Sequence, residues 1–248
     1  MNSSQTVVII PCYNEERRLP VDAFQTICRD APGFFFVFVD DGSSDQTHRL
    51  LTNSFGTLKN THTLRLSHNG GKAEAIREGI SWASQNIQFD RVGFLDSDLA
   101  TPFDQFQKMT DLMLTRPLGM VTGLRLARLG ARIKRNALRH YLGRVFATLV
   151  SIMLDLPVYD TQCGAKVFRK AEAQELFREP FVSRWFFDVE LFFRLKRYYS
   201  DRARLIECVM EFPLTQWTDI EGTKLKKIDF LRTPVELMRI YWAYRRWR

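Results

Sequence analysis

Asp96-Ser97-Asp98 ends the apolar run Val92 to Leu95 with two carboxylates one residue apart. Hard divalent ions such as Mg²⁺ and Mn²⁺ prefer oxygen ligands, and one or two carboxylates completed by substrate phosphates is their usual arrangement. Asp96 and Asp98 are thus candidate metal ligands, and a cation there would offset the charge of a departing diphosphate. The same residues also fit a plainer role, Asp98 capping a helix that begins near Thr101-Pro102 while Asp96 is solvated. Asp40-Asp41 follows the apolar Phe34 to Val39. There Asp41 is placed to accept from a base N–H or ribose hydroxyls, and Asp45 to cap the next helix. In Pro11-Cys12-Tyr13-Asn14-Glu15, Tyr13 suits stacking on a base, while Asn14 and Glu15 offer hydrogen bonds at a helix start. Asn69-Gly70-Gly71-Lys72 opens another helix, where backbone N–H groups and one ammonium face an anion.

These loops need a scaffold that brings them together. Short apolar runs at Val7 to Ile10, Phe34 to Asp40, Thr63 to Leu66, Val92 to Leu95 and Met120 to Thr122 alternate with helical patterns at Glu15 to Asp30, Asp45 to Phe55, Gly71 to Gln85 and Phe103 to Thr115. That alternation predicts an α/β fold with a mostly parallel sheet flanked by helices. In such open sheets ligands sit beyond the carboxyl ends of the strands, where each acidic cluster falls. After Gly123 the rhythm changes to longer helices, Lys134 to Leu154 and Asp188 to Tyr199, with short strands near Ala165 to Phe168 and Leu205 to Val209. The expected organisation is one domain over 1–225, with a ligand-binding half (1–123) and an acceptor-handling half (124–225), then a basic amphipathic helix over 226–248.

Bulk properties narrow the partners. An apolar fraction of 45% and 248 residues are globular values. Cys12, Cys28, Cys163 and Cys208 form no C-x-x-C pair and read as free thiols. The start lacks the basic and long apolar regions of a secretory signal, and the longest apolar run, Val145 to Leu154, is below the ~20 residues of a membrane span. A cytoplasmic location is expected. The net charge of +8 is concentrated. Six basic residues and no acid lie between Arg125 and Arg139, and eight basic residues against two acids lie between Lys224 and Arg248. Two anion-facing patches are predicted on an otherwise acidic chain. Basic patches alone would not call for acid-rich loops at three strand ends, so nucleic acid is not the expected partner.

In order along the chain, PCYNE, VDDGSSDQT, GGKAEAIREG and FLDSD resemble the inverting family 2 glycosyltransferases of GT-A (Rossmann-like) fold. DTQCGAKVF (Asp160 to Phe168), RWFFDVEL (Arg184 to Leu191) and WTDIEGTKL (Trp217 to Leu225) are similar to the polyprenyl-phosphate sugar transferases, especially those that load glucose onto dolichyl phosphate. The resemblance implies that Pro11, Tyr13, Asn14, Glu15, Asp41 and Lys72 hold the nucleotide. It implies that Asp96 and Asp98 hold Mg²⁺ or Mn²⁺, that Ser97 between them belongs to the nucleotide site, and that Asp188 is the catalytic aspartate, although Asp188 also fits a helix N-cap. Mannosyl relatives place a further metal ligand where this chain has Ala100. The Ala-Thr-Pro that follows favours UDP-glucose, with GDP-mannose an alternative donor. The implied acceptor is polyprenyl phosphate, the alternative being a soluble family 2 transferase acting on a sugar hydroxyl.

Arg125, Arg135 and Arg139 are candidates to grip the acceptor phosphate, with Arg132, Arg135 and Arg139 expected on one helix face. Lys224 is expected to close over the diphosphate from the loop around Gly222. A lipid acceptor requires contact with a membrane surface, so a peripheral location at an anionic cytoplasmic face follows. In the tail, Leu231, Val235, Met238 and Trp242 keep helical spacing, Tyr241 widens the stripe, and Arg232, Arg239 and Arg246 recur every seven residues on another face. The pattern fits either a helix lying in that interface or one docked on its own domain.

Overall fold

A computed structural model of the chain describes residues 5–134, 137–220 and 227–245, with side chains for all of these but 137–142 and 227–232. The elements run β1 (Thr6–Cys12), α1 (Val21–Asp30), β2 (Phe34–Asp40), α2 (Thr47–Phe55), β3 (Thr61–Arg65), α3 (Lys72–Asn86), β4 (Arg91–Leu95), α4 (Phe103–Thr115), β5 (Met120–Leu124), β6 (Arg132–Lys134) and α5 (Ala137–Leu154). They continue with β7 (Ala165–Arg169), α6 (Lys170–Leu176), α7 (Phe187–Tyr199), α8 (Arg202–Cys208), β8 (Val209–Pro213), β9 (Gln216–Thr218) and α9 (Lys227–Tyr244).

Seven strands form one sheet in the order β3-β2-β1-β4-β7-β5-β8. All run parallel except β7, which lies antiparallel between β4 and β5. The central strands β1, β2, β4, β5 and β7 are buried on both faces, as parallel sheets covered by helices require, and the edge strands β3 and β8 are half-buried. Val7, Ile9, Val37, Val39 and Phe94 face one core, shared with α3, α5, α7 and α9. Val8, Ile10, Phe36, Phe38 and Val167 face the other, under α1, α2 and α4. There Phe38 stacks on Phe55 with ring centroids 4.0 Å apart and meets Phe24 edge-on at 5.4 Å. Burying each such ring contributes roughly 2–3 kcal/mol.

Three expected elements differ. The first helix starts at Val21, not Glu15, because Glu15 O accepts from Arg18 N and Leu19 N in a tight turn, and Pro20 disfavours helical geometry before it. Arg132–Lys134 is a strand paired with the remote Gln216–Thr218, so Arg132 shares no helix face with Arg135 and Arg139. Leu205 to Cys208 is helix, since Asp201 caps it by accepting from Ala203 N at 3.0 Å; the strand begins only at Val209.

The last helix docks on the domain through Tyr241 of the expected stripe and through residues outside it, while the side chain of Leu231 lies outside the described residues. Ile240 and Tyr244 are buried, Leu237 and Tyr241 pack beside them, and the Tyr244 ring stacks on Phe193. Val235, Met238 and Trp242 point outward, 61%, 53% and 54% exposed. Of the two alternatives raised by the sequence, docking on its own domain is the one observed for this helix, and it leaves an apolar stripe exposed on another face. No described helix is long and apolar enough to cross a membrane.

Candidate active site

The reversal of β7 shapes the site. Its register sets Ala165 opposite Leu95, so the segment entering β7 lies at the edge where β4 ends. Asp96 N donates to Gly164 O at 3.2 Å across this junction. A Cβ on Gly164 would stand 1.8 Å from Asp96 Oδ2, so only glycine lets Asp96 lie here. The turn continues through Leu99 at φ 53, and Asp98 Oδ1 accepts from Ala100 N at 3.0 Å. Asp98 does not cap α4: that helix begins after Pro102 with no side-chain cap.

Lys72, the first residue of α3, reaches Asp96 Oδ1 at 2.5 Å. Burial alone would lower the Lys72 pKa, but Asp96, Asp188 and Asp98 outweigh it and hold the ammonium above its usual range. Arg18 Nη2 lies 3.9 Å from Asp98 Oδ2. Burial, reinforced by the charge of Asp96, raises the Asp98 pKa, and Lys72 and Arg18 offset only part of this. Two crowded carboxylates with cations drawn towards them suit a hard divalent ion. Among the described residues no third His, Cys, Asp or Glu completes a cluster, so such an ion would take its other ligands from phosphate oxygens and water.

Asp188 sits inside the first turn of α7, after Phe186 at the N-cap position, so its expected capping alternative fails. Its Oδ1 instead accepts from Lys166 Nζ at 2.5 Å. Lys166 is fully buried and also donates to Thr161 O at 2.9 Å and Cys163 O at 2.7 Å. Two ammonium groups lie near the Phe94 ring, Lys166 Nζ 5.4 Å and Lys72 Nζ 5.6 Å from its centre. Burial raises the Asp188 pKa against the pull of Lys166 and Lys72.

The first two strands supply the other wall. Asp41 is buried and accepts from Gly70 N and Gly71 N, each at 2.8 Å. Burial raises its pKa, and these amides with Arg184 reduce the rise. Asn14, at φ 49, accepts from Ser44 N at 2.9 Å, while Asn14 N donates to Ser43 Oγ. Glu15 is buried, with its N–H on Thr47 Oγ1. Asn14 and Glu15 thus fasten the Tyr13 loop to the loop after β2. Asp45 bonds Thr47 N and Oγ1, one residue ahead of the N-cap position it was expected to fill. Beside Asp41 opens a pocket of about 290 Å³ lined by Gly42, Ser43, Arg65, Leu66 and Ser67.

Arg125 follows β5 at the same edge. Its Nε and Nη2 bind Asp160 at 2.7 and 2.8 Å, and its guanidinium lies 5.3 Å from the Trp217 ring centre. Asp160 stays ionised below the usual carboxylate range, because Arg125 outweighs its burial. Arg125 is thus held in a fork by Asp160. Arg135 and Lys224 lie outside the described residues, as does the side chain of Arg139. Of the sequence candidates, Lys72, Asp96, Asp98 and Asp188 form one charge network, Pro11, Tyr13, Asn14, Glu15 and Asp41 line the neighbouring loops, and Ser97 is buried between the two acids of its turn.

Lys166, Asp160, Arg184 and Gly164 were not singled out from sequence. For Lys166 a signal existed: in Ala165-Lys166-Val167-Phe168 the lysine occupies a strand position flanked by apolar residues, and a buried ammonium requires a carboxylate partner.

Solved structures share this architecture. Glucosyl-3-phosphoglycerate synthase from Mycobacterium tuberculosis, crystallised with Mn²⁺, UDP and phosphoglyceric acid, superposes with a TM-score of 0.68 at 18% identity over 96% of this chain and 78% of that one. Mannosyl-3-phosphoglycerate synthase from Rubrobacter xylanophilus gives 0.70 at 14% identity over 97% and 73%. The fold is that of the GT-A glycosyltransferases. Residues 7–177 match the model for glycosyl transferase family 2, and the chain belongs to that family. Curated relatives extend the match over nearly the whole chain. Dolichyl-phosphate beta-glucosyltransferase of Dictyostelium discoideum is 29% identical over 96% of this chain and 74% of its own length, and that of Homo sapiens 32% identical over 90% and 70%.

Proposed function

We propose that this glycosyltransferase moves glucose from UDP-glucose onto a polyprenyl phosphate of the dolichyl type, with inversion at the anomeric carbon. The observation that carries the reading is the convergence of Lys72, the Asp96–Asp98 turn and Asp188 at one sheet edge, in a chain whose near-full-length relatives are named for this reaction.

In this reading residues 1–123 bind the donor and 124–225 the acceptor. Tyr13 stacks on the base, and Asp41 accepts from base or ribose through lone pairs left by its two amide bonds. Asp96 and Asp98 would hold Mg²⁺ or Mn²⁺, which would supply charge neutralisation for the diphosphate. Lys72 turns its ammonium to the same phosphates from the start of α3. A phosphate acceptor is already anionic near neutral pH, which lowers the demand for a general base. Asp188, fixed by Lys166, orients the acceptor and takes any remaining proton. Arg125 has donors beyond the two given to Asp160 and, with Arg135, Arg139 and Lys224, meets the phosphates.

The outward stripe of Val235, Met238 and Trp242 on α9, with Val145, Leu149 and Ile152 exposed on α5, gives a peripheral contact for the membrane that holds the lipid. Purified protein with Mn²⁺ is expected to carry radiolabelled glucose from UDP-glucose into a chloroform-soluble polyprenyl phosphate. No lipid product from UDP-glucose with folded protein would overturn the assignment, and product from GDP-mannose alone would move it to mannose.

A further inference from the structure

The turn between Phe181 and Phe187 contributes nothing to the chemistry above, yet it touches the donor wall. Arg184 Nη2 donates to Asn69 O at 2.9 Å, and Arg184 Nε to Gly70 O at 3.0 Å. The N–H groups of the same two peptide units, Gly70 N and Gly71 N, donate to the two oxygens of Asp41. Two consecutive peptide planes are therefore clamped between a guanidinium on their carbonyl side and a carboxylate on their amide side. Their dipoles point from one charge to the other, so each bond polarises the next. Gly71, at φ 91, has no room for more: a Cβ would stand 3.0 Å from Arg184 Nε. Lys72 follows immediately.

The turn that carries Arg184 is itself anchored from below. Glu190 is completely buried, and its carboxylate accepts from Ser183 N at 2.6 Å, Val182 N at 3.0 Å and the Tyr244 hydroxyl at 3.1 Å. Arg194, also buried, donates to the Tyr244 oxygen at 3.0 Å and to the carbonyls of Leu176, Glu179 and Pro180. The side chain of Tyr244 comes from α9. An unbroken set of bonds thus runs from the last helix through Glu190 and the 182–184 turn to the Asn69–Gly71 loop and Asp41.

We infer that Arg184 is a positioning residue for the sugar-nucleotide donor, setting the Asn69–Lys72 loop against Asp41, and that α9 takes part in donor binding through the Tyr244–Glu190 contact. This rests on reading the Asp41 wall as the donor site. Arg184 is exposed at the surface, so its replacement does not threaten the core.

The test has a ligand-free arm and a donor arm. By hydrogen exchange without ligand, Arg184→Ala is expected to speed exchange of the Gly70 and Gly71 amides by about tenfold, the size expected for losing charge-assisted bonds, with Arg184→Lys between it and wild type. Tyr244→Phe is expected to speed exchange at Val182 and Ser183 by at least about tenfold, as loss of its bonds to the Glu190 carboxylate and from the Arg194 guanidinium predicts. In the donor arm, Arg184→Ala raises the KM for UDP-glucose about tenfold with kcat within about twofold, and Arg184→Lys recovers part of the loss. Unchanged exchange in Arg184→Ala overturns the clamp whatever the donor. Faster exchange with an unchanged donor KM, or a fall in kcat alone, overturns the positioning role. A wild-type chain that binds no nucleotide sugar, with the exchange effects intact, overturns the functional reading and the donor part of this inference with it.

Discussion

Lys166→Met offers the sharpest test of how the centre is built. The ammonium is fully buried, 2.5 Å from Asp188 and bonded to two backbone carbonyls, and methionine fills similar volume without charge. Removing one member of a buried pair leaves the other uncompensated, at a cost of roughly 3–5 kcal/mol. Against a total of about 5–15 kcal/mol for a folded domain, the loss is large, equivalent to a melting temperature lower by about 6–20 °C. It should depend on pH in one direction. The Asp188 carboxyl is already raised by burial, and without its ammonium it rises further. Between the unfolded carboxylate value near 3.9 and that raised folded value, the native state holds the extra proton, so stability falls as pH increases. Urea titrations followed by circular dichroism should therefore show a smaller deficit at pH 5 than at pH 7.5. Lys166→Met combined with Asp188→Leu removes both charges and should regain most of the loss. A single variant within about 1 kcal/mol of wild type, or a deficit independent of pH, would refute the reasoning.

Further outcomes follow from the same edge. Asp98→Ala should lower glucose transfer by at least about 100-fold and abolish Mn²⁺ binding followed by electron paramagnetic resonance. Because burial raises the Asp98 pKa, ionising it costs folded-state stability as pH rises past the unfolded value; ligand-free Asp98→Ala should melt higher than wild type near pH 7 and lose that advantage below about pH 4. Gly164→Ala drives a methyl into Asp96, and a misplacement of this kind should reduce transfer by about 100-fold, readable as kcat/KM, while circular dichroism stays native. Replacing Met238 and Trp242 by serine should leave melting within about 1 °C, since both side chains are more than half exposed, and weaken sedimentation with anionic vesicles several-fold.

How far the sequence spoke depends on the range of the interaction. The strand-end acids were legible because apolar runs such as Phe34 to Val39 announce their own ends, and parallel topology sends every such end to one edge. Asp188 was placed through resemblance, but its partner was not, because the bond joins residues 22 apart on different elements. The strand Arg132–Lys134 was invisible for the same reason: three residues acquire extended form only by pairing with Gln216–Thr218. On α9 the sequence offered an apolar stripe through Val235, Met238 and Trp242, but apolar residues surround the helix, and Phe193, Glu190 and Arg194 on the neighbouring helix draw Tyr244 inward instead.

The antiparallel strand also governs how the protein must come into being. Within the main sheet β5 pairs only with β7 and β8, and β4 meets β7 along its second edge. A chain cut after Gly123 would leave both of these apolar strands with naked edges, so the first half should stick to itself rather than fold alone. Emergence of residue 169 from the ribosome, not of residue 123, is the earliest point at which the centre of the sheet can close.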